Sequence, residues 1–493
     1  MTRQQGRTSA PNILLVLTDQ QRYDSLGTYG ASAAHTPHLD ALAESGAVFE
    51  QAYCPSPLCT PSRASIFTGK HVAGHGVERL YDTLPDDEIL FPERLRRQGY
   101  RTALIGKLHV SSRMYERERR HPNDGFDVYE WCNEMTFDMD SPFHAYARWL
   151  QENDADFHAR LVQEGRQVKN YPRHLHMTHW AAERTIEFVR DQVRDGVPFF
   201  ACMSVFDPHN PYDTYPPGMD NLVGELPPAT PVPDDLATVP AGVRREMRSK
   251  TLQSHFNGSL DEARRGYHAA VALIDAEVGR VLHALDELDV ADDTLVIFTS
   301  DHGDMLGDRG LMTKGAFFYD PGVRVPLLMR WPGVVPAGRR VHTPVLLNDI
   351  AATAVSAAGC ATQELGAMSD SLDLVPLAQG QSGPARPFVT SCYRNGGLNV
   401  GGSTTYFDPP LLATMIRDDR YKLTVYHTDG EDGVGGELFD MVSDPDESKN
   451  LWNDGAARAA KARLMQSLLD WSVMQEWSGG SRGGEWLPAS SVA

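Results

Sequence analysis

The chain has 493 residues, 41% of them hydrophobic and 23% charged, which is ample for a large core and for one big domain with a satellite. Its formal net charge of −20 excludes nucleic acid or an anionic membrane as the main partner, because both need a basic footprint. A locally basic pocket for a small anion stays open.

Six scattered cysteines do not make a disulfide framework. The opening MTRQQGRTSAPN is polar and carries no apolar signal core. No apolar run reaches the length of a membrane span. The expectation is a cytoplasmic protein, with a chain that has lost its leader as the other reading.

NILLVLTDQ predicts a first strand ending at Asp19 and Gln20. Short runs of Val, Ile, Leu and Phe without alternation mark strands buried on both faces of a mainly parallel sheet. TPHLDALAESG predicts a helix with Thr36 as N-cap, Pro37 in its first turn and Gly46 as its stop. CTPSRASIFTG follows, with Thr60 suited to an N-cap and Pro61 to a first turn. A helix over about 61–67 would aim its free N–H groups at residue 59, welcoming an anion or activating a thiol. A structural role for Cys59 is the alternative.

TALIGKLH predicts a strand ending at Lys107 and His109, and PFFACMSVFDPH one ending at Asp207 and His209. Between them, His174, His176 and His179 read as a pocket wall or solvated turn and not as a second metal cluster. Cys54 and Cys59 lack the partner ligands of a zinc site. Residues 210–250, rich in proline and acid, predict an irregular surface excursion. The segment from Ser259 onward predicts a long helix with a Ser259–Glu262 capping box. It feeds TLVIFTSDHGD, a strand ending at Asp301, His302 and Asp304. In such sheets ligands bind beyond the carboxyl ends of the strands.

Residues 377–387 read as a linker. RPFVTSCYR, ATMIRDDRYKLTVYH and GELFDM predict antiparallel strands, and a helix is expected over 455–472. The final SGGSRGGEWLPASSVA is expected to be loose. The fold class is therefore α/β: a large mainly parallel sheet flanked by helices. Residues 1–380 are expected to form the catalytic domain. Residues 381–493 are expected to form a smaller C-terminal α+β domain with a small antiparallel sheet.

Cys59-Thr-Pro-Ser-Arg63 before a helix and Thr-Gly resembles the signature of the type I sulfatases of the alkaline phosphatase superfamily. GYRTALIGKLH resembles their second signature. PNILLVLTDQ, SDHGDMLGDRGLMTKG, RVPLLMRWPG and ELFDMVSDPDESKNL match in order, so the resemblance spans about residues 11–452. It implies an alkaline phosphatase-like fold and hydrolysis of a small anionic sulfate ester of a sugar, alkyl or aryl alcohol. It also implies that Cys59 is oxidised to formylglycine by a formylglycine-generating enzyme. The hydrated aldehyde attacks sulfur with one hydroxyl, and the other then helps to expel sulfate.

By the same resemblance Asp19, Gln20, Asp301 and His302 hold one divalent cation. Ca²⁺ is the first expectation, with Mg²⁺ and Mn²⁺ as alternatives. Arg63 and Lys107 orient the nucleophile and the sulfate, and Lys314 is a second sulfate-binding lysine. His109 assists release, and His209 lies beside the leaving oxygen as a general acid. Asp304 reads as a structural cap. Two departures stand out: Gln20 replaces the commoner second aspartate, and His302 stands where some members have asparagine. The Asp-Gln and Asp-His pairs also resemble the phosphonate monoester and phosphodiester hydrolases of the superfamily, which form the alternative. A non-catalytic anion- or metal-binding module is the alternative of another class.

Overall fold

The computed structural model describes residues 10–381, 385–395, 410–427 and 435–478. Among them the strands are β1 (Asn12–Thr18), β2 (Ala47–Phe49), β3 (Ala52–Tyr53), β4 (Arg101–Gly106), β5 (Val128–Trp131), β6 (Phe199–Ser204), β7 (Thr294–Ser300), β8 (Arg324–Val325), β9 (Leu327–Arg330), β10 (Arg339–Val341), β11 (Val345–Leu346), β12 (Val389–Arg394), β13 (Leu412–Arg417), β14 (Tyr421–Tyr426) and β15 (Gly436–Asp440). Eight of them form one sheet in the order β10-β2-β9-β7-β1-β6-β4-β5. Strands β7, β1, β6, β4 and β5 pair in parallel. Strand β9 runs antiparallel to both its neighbours. The mainly parallel α/β sheet expected from the sequence is therefore present.

Strand β1 lies inside the sheet, and every residue from Ile13 to Thr18 is buried. Successive side chains of a strand point to opposite faces. Ile13, Leu15 and Leu17 enter one core with Ile66, Phe67, Phe91 and Ile350. Leu14 and Val16 enter another with Trp180, Ile186, Val271 and Val278. Two helical layers thus explain why the run does not alternate.

The long helix spans Leu260–Glu287 and has the expected Ser259–Glu262 capping box. The Pro37–Glu44 helix is capped differently from expectation. Thr36 makes no side-chain cap. Asp275, from the long helix, accepts from Leu39 N at 2.8 Å and from His38 N at 3.3 Å. Thr36 Oγ1 instead accepts from Gly27 N at 2.9 Å.

The 210–250 segment is irregular over most of its length, but Ala241–Ser249 is a helix. Buried Glu246 holds it by accepting from Ala316 N at 2.8 Å. Part of the expected linker is a helical turn, Val375–Ala378, and residues 382–384 lie outside the described residues. The last helix, Arg458–Ser478, runs beyond the expected 472. The expected loose tail lies, from 479 on, outside the described residues. No helix of the described residues is long and apolar enough to cross a membrane.

The small antiparallel sheet has the order β12-β13-β14-β15. Its Lys422 pairs with Asp320 at 2.6 Å and Glu447 at 2.5 Å, and Tyr319 OH donates to Glu437 at 2.6 Å. Burial pushes the Glu437 carboxyl up to about 7 from its ordinary 4.5. Across that window the folded protein keeps a proton that the unfolded chain has released. Stability from this group is thus complete at lower pH and is lost as pH rises through about 7. Glu437→Gln should raise the thermal unfolding temperature near pH 8, by the equivalent of about 3 kcal/mol at most, and change little near pH 4.

Candidate active site

The sheet register brings the strand ends level. Thr18 of β1 sits beside Ser300 of β7, Leu17 beside Ser204 of β6, and Ser204 beside Gly106 of β4. The next residues of each strand therefore emerge at one edge, as open parallel sheets require of a binding site. Gln20 and His109 leave their strands with positive φ, 66° and 56°. Such conformations are uncommon for residues other than glycine and concentrate at functional sites.

A further wall is the helix Cys59–Thr68, which begins two residues earlier than expected. Leu58 occupies the N-cap position. Thr60 does not cap, because its hydroxyl is taken by tertiary partners: Leu80 O at 3.3 Å and His109 Nε2 at 3.1 Å. All ten residues of this helix are buried, Arg63 completely. Gly69 ends it with φ 69°.

Arg63 Nε donates to Asp301 Oδ2 at 2.6 Å. Its NH1 donates to Lys107 O and Ser204 Oγ, each at 2.9 Å. Lys107 Nζ pairs with Asp19 Oδ2 at 2.5 Å. Each carboxylate thus gives one oxygen to a cation and turns the other inward. Asp19 Oδ1 lies 3.7 Å from Cys59 Sγ and 3.7 Å from His302 Nε2. Asp301 Oδ1 lies 3.6 Å from the same Nε2. Cys59 Sγ is 3.1 Å from it. Asp19, Cys59, Asp301 and His302 therefore present four donor atoms within 4.8 Å of one another, all buried. His302 Nδ1 meets Gly303 O at 2.9 Å, which places a proton on Nδ1 and aims Nε2 at the cluster.

Gln20 borders this set, its backbone N–H donating to Asp301 Oδ1 at 3.1 Å, and its amide orientation is fixed by its other partners. Its Nε2 donates to Asp304 Oδ2 at 2.6 Å, and Tyr212 OH donates to the same oxygen at 2.7 Å. A carboxylate only accepts, so the amide oxygen must face the other way. There Gln20 Oε1 accepts from Lys314 Nζ at 2.7 Å. The Nζ of Lys314 also lies 2.7 Å from His209 Nε2, and His209 Nδ1 is 2.7 Å from Asn210 O. Asp304 does cap a turn, accepting from Leu306 N at 2.8 Å. Its role in orienting Gln20 was not read from the sequence, nor was that of Tyr212.

Glu116 is another residue the sequence did not single out. It accepts from His109 N at 2.9 Å, Ser111 N at 3.1 Å and Trp131 Nε1 at 3.0 Å, which holds the turn carrying His109. Asp207 turns away from the cluster to Thr178 and His176. His176 caps the helix Met177–Asp195, and His179 contacts Glu277 at 3.1 Å.

The electrostatics follow from this packing. Burial alone would raise the Asp19 carboxyl, yet the cations around it, Lys107 first and then Lys314 and Arg63, hold it well below the carboxylate range. Burial and Asp19 push the Cys59 thiol up, but Lys107, Lys314 and His302 outweigh them and hold it low. Burial, reinforced by Lys107 and Arg63, holds His109 well below the ordinary imidazole value. Burial and then Lys314 do the same for His209. Both imidazoles are therefore neutral at neutral pH and able to accept protons.

A family model described as sulfatase matches residues 11–360. The chain belongs to the sulfatase family. This sulfatase is 29% identical over 457 residues to the choline-sulfatase of Rhizobium meliloti, covering 90% of this chain and 83% of that protein. It is 29% identical over 459 residues to an arylsulfatase of Clostridium perfringens, covering 90% of each. The solved structure of a phosphonate monoester hydrolase of Agrobacterium radiobacter has the same fold, with TM-score 0.79 at 24% identity, over 94% of this chain and 96% of that one. The sulfatase is a sulfuric ester hydrolase by family.

Proposed function

We propose that this sulfatase hydrolyses a sulfate monoester at the cluster described above, with Cys59 as the parent of the nucleophile. The observation that carries the reading is the convergence of Asp19, Asp301, His302 and Cys59 donor atoms on one buried point. A divalent cation fits there, because one oxygen of each carboxylate and the Nε2 of His302 face the point, and Gln20 borders it with its backbone N–H on Asp301 Oδ1 at 3.1 Å. Oxygen donors favour Ca²⁺ or Mg²⁺, and the imidazole shifts the preference towards Mn²⁺. When bound, the cation supplies charge stabilisation for a sulfuryl oxygen. When Cys59 is matured by a formylglycine-generating enzyme, the aldehyde supplies an oxygen nucleophile with its own release route. The catalytic unit is assigned to residues 1–380 and the smaller unit to 381–493.

The protein side chains do the rest. Arg63 locks Asp301, the Lys107 carbonyl and Ser204 into one frame. Lys107 and Lys314 bind sulfuryl oxygens, a preorganised charge that favours the transition state. Neutral His109 accepts the proton whose loss frees sulfate. Lys314 already donates to His209 Nε2, so the Lys314–His209 pair, and not an isolated imidazolium, delivers the proton to the leaving oxygen.

Lys314→Met should lower kcat by on the order of 10²–10³. The loss should be larger for an alkyl sulfate than for 4-nitrophenyl sulfate, whose leaving group needs no proton. Steady-state kinetics with both esters would read this, and equal losses would remove the lysine from proton delivery. The deciding experiment for the function compares kcat/KM for 4-nitrophenyl sulfate and 4-nitrophenyl phenylphosphonate. A clear preference for the sulfate is expected, and a preference for the phosphonate would overturn the reading.

A further inference from the structure

Lys250 follows the helix Ala241–Ser249 in the segment between His209 and the long helix. It is only 7% exposed, and its ammonium has no hydrogen-bond or ion-pair partner among the described residues. Glu246, one turn earlier, is engaged elsewhere. Its Oε1 accepts from Ala316 N at 2.8 Å and its Oε2 from Ser249 Oγ at 3.3 Å.

The Lys250 carbonyl accepts from Met312 N at 2.9 Å. That pins the residue beside the turn carrying Lys314, whose Nζ touches Gln20 and His209. Thr313, between Met312 and Lys314, holds a second unanswered group. Its Oγ1 is buried without a hydrogen-bond partner, on a residue 2% exposed with φ 57°. Burial pulls the Lys250 amine below its ordinary range, Glu246 opposes this, and Lys314 and Asp304 are near enough to act on it as well.

Buried polar groups are normally satisfied, and a buried charge without a partner is destabilising. Here the residues that carry an ammonium and a hydroxyl, both donors, adjoin the turn that carries one lysine of the site. The group that answers both is an oxyanion. We propose, resting on the sulfate-ester reading above, that Lys250 and Thr313 form a second anion subsite beside Lys314. The preferred substrate then carries, besides the scissile sulfate, another oxyanionic group, either a carboxylate or a second sulfate. That group belongs to the alcohol portion, because Lys314 is also the neighbour of His209 on the leaving-oxygen side.

The test uses the full metal-loaded chain and three sulfonates that resist hydrolysis: benzenesulfonate, 3-sulfobenzoate and benzene-1,3-disulfonate. Calorimetric titration should find at least one dianion bound roughly tenfold tighter than the monoanion. Lys250→Met should bring that ratio close to one. The variant should also unfold at a higher temperature, because a largely buried ammonium without a hydrogen-bond partner has gone. Lys250→Gln repeats the measurement with a polar replacement. Which dianion binds more tightly distinguishes carboxylate from sulfate. A ratio near one in the wild type, or a ratio unchanged by both substitutions, overturns the subsite. Binding does not depend on turnover. An intact ratio in a protein that leaves every sulfate ester unhydrolysed would therefore support the subsite and sink the hydrolysis reading.

Discussion

Cys59→Ala should abolish sulfate-ester hydrolysis, with kcat falling by roughly 10⁴-fold or more, the scale expected when a covalent nucleophile is removed. The fold should survive, because Cys59 is a small buried side chain at a helix start and its neighbours are held by other contacts. Arg63 keeps Asp301, Lys107 keeps Asp19, and Gly69 still closes the helix. Circular dichroism and thermal unfolding should match the parent protein. The companion measurement is the intact mass of the peptide containing residue 59. Maturation to the aldehyde lowers it by about 18 Da. An active wild-type protein carrying an unmodified thiol would refute the nucleophile assignment. A Cys59→Ala protein that kept full biological effect would instead favour a binding module.

Asp301→Asn should be the most damaging substitution that keeps side-chain shape. Asp301 answers the guanidinium of Arg63, and both side chains are wholly buried. Without that carboxylate Arg63 keeps only Asp19 Oδ2, 3.8 Å away and already paired with Lys107, so the under-compensated buried charge should cost up to about 3–5 kcal/mol. The same change takes a negative charge from the proposed cation site, so affinity for the divalent ion should fall as well. Expected results are a lower unfolding temperature, a weaker metal titration, and a kcat reduced on the order of 10³-fold. Added Ca²⁺ should restore little of that activity, whereas wild-type protein treated with a chelator should recover on re-addition. Wild-type activity that is indifferent to chelation would count against the cation. An Asp301→Asn protein with unchanged stability would count against the buried-pair account.

The sequence alone determined a good deal of this protein. The run at residues 12–18 is apolar without alternation, a property of the run itself, and it forms a strand buried on both faces. The Ser259–Glu262 box lies within one helical turn, so its partners can be read three residues apart. Strands ending in Asp19, Lys107 and Asp301 were legible because parallel sheets send their carboxyl ends to a common edge. The motif around Cys59 pointed to the family that the comparison then established.

Tertiary structure decided what lies beyond a turn's reach. It put β1 between β6 and β7 and set β9 antiparallel. Thr60 looks like an N-cap in sequence, but the fold brings His109 and Leu80 to its hydroxyl. Thr36 loses its cap to Asp275, more than two hundred residues away. The orientation of the Gln20 amide depends on Asp304, 284 positions along the chain. Lys250 stands out only once its neighbours are seen to bond elsewhere. Propensities and caps are set by residues within a few positions of one another. Long-range hydrogen bonds depend on which surfaces the packed layers bring together, and a local pattern carries no record of that choice.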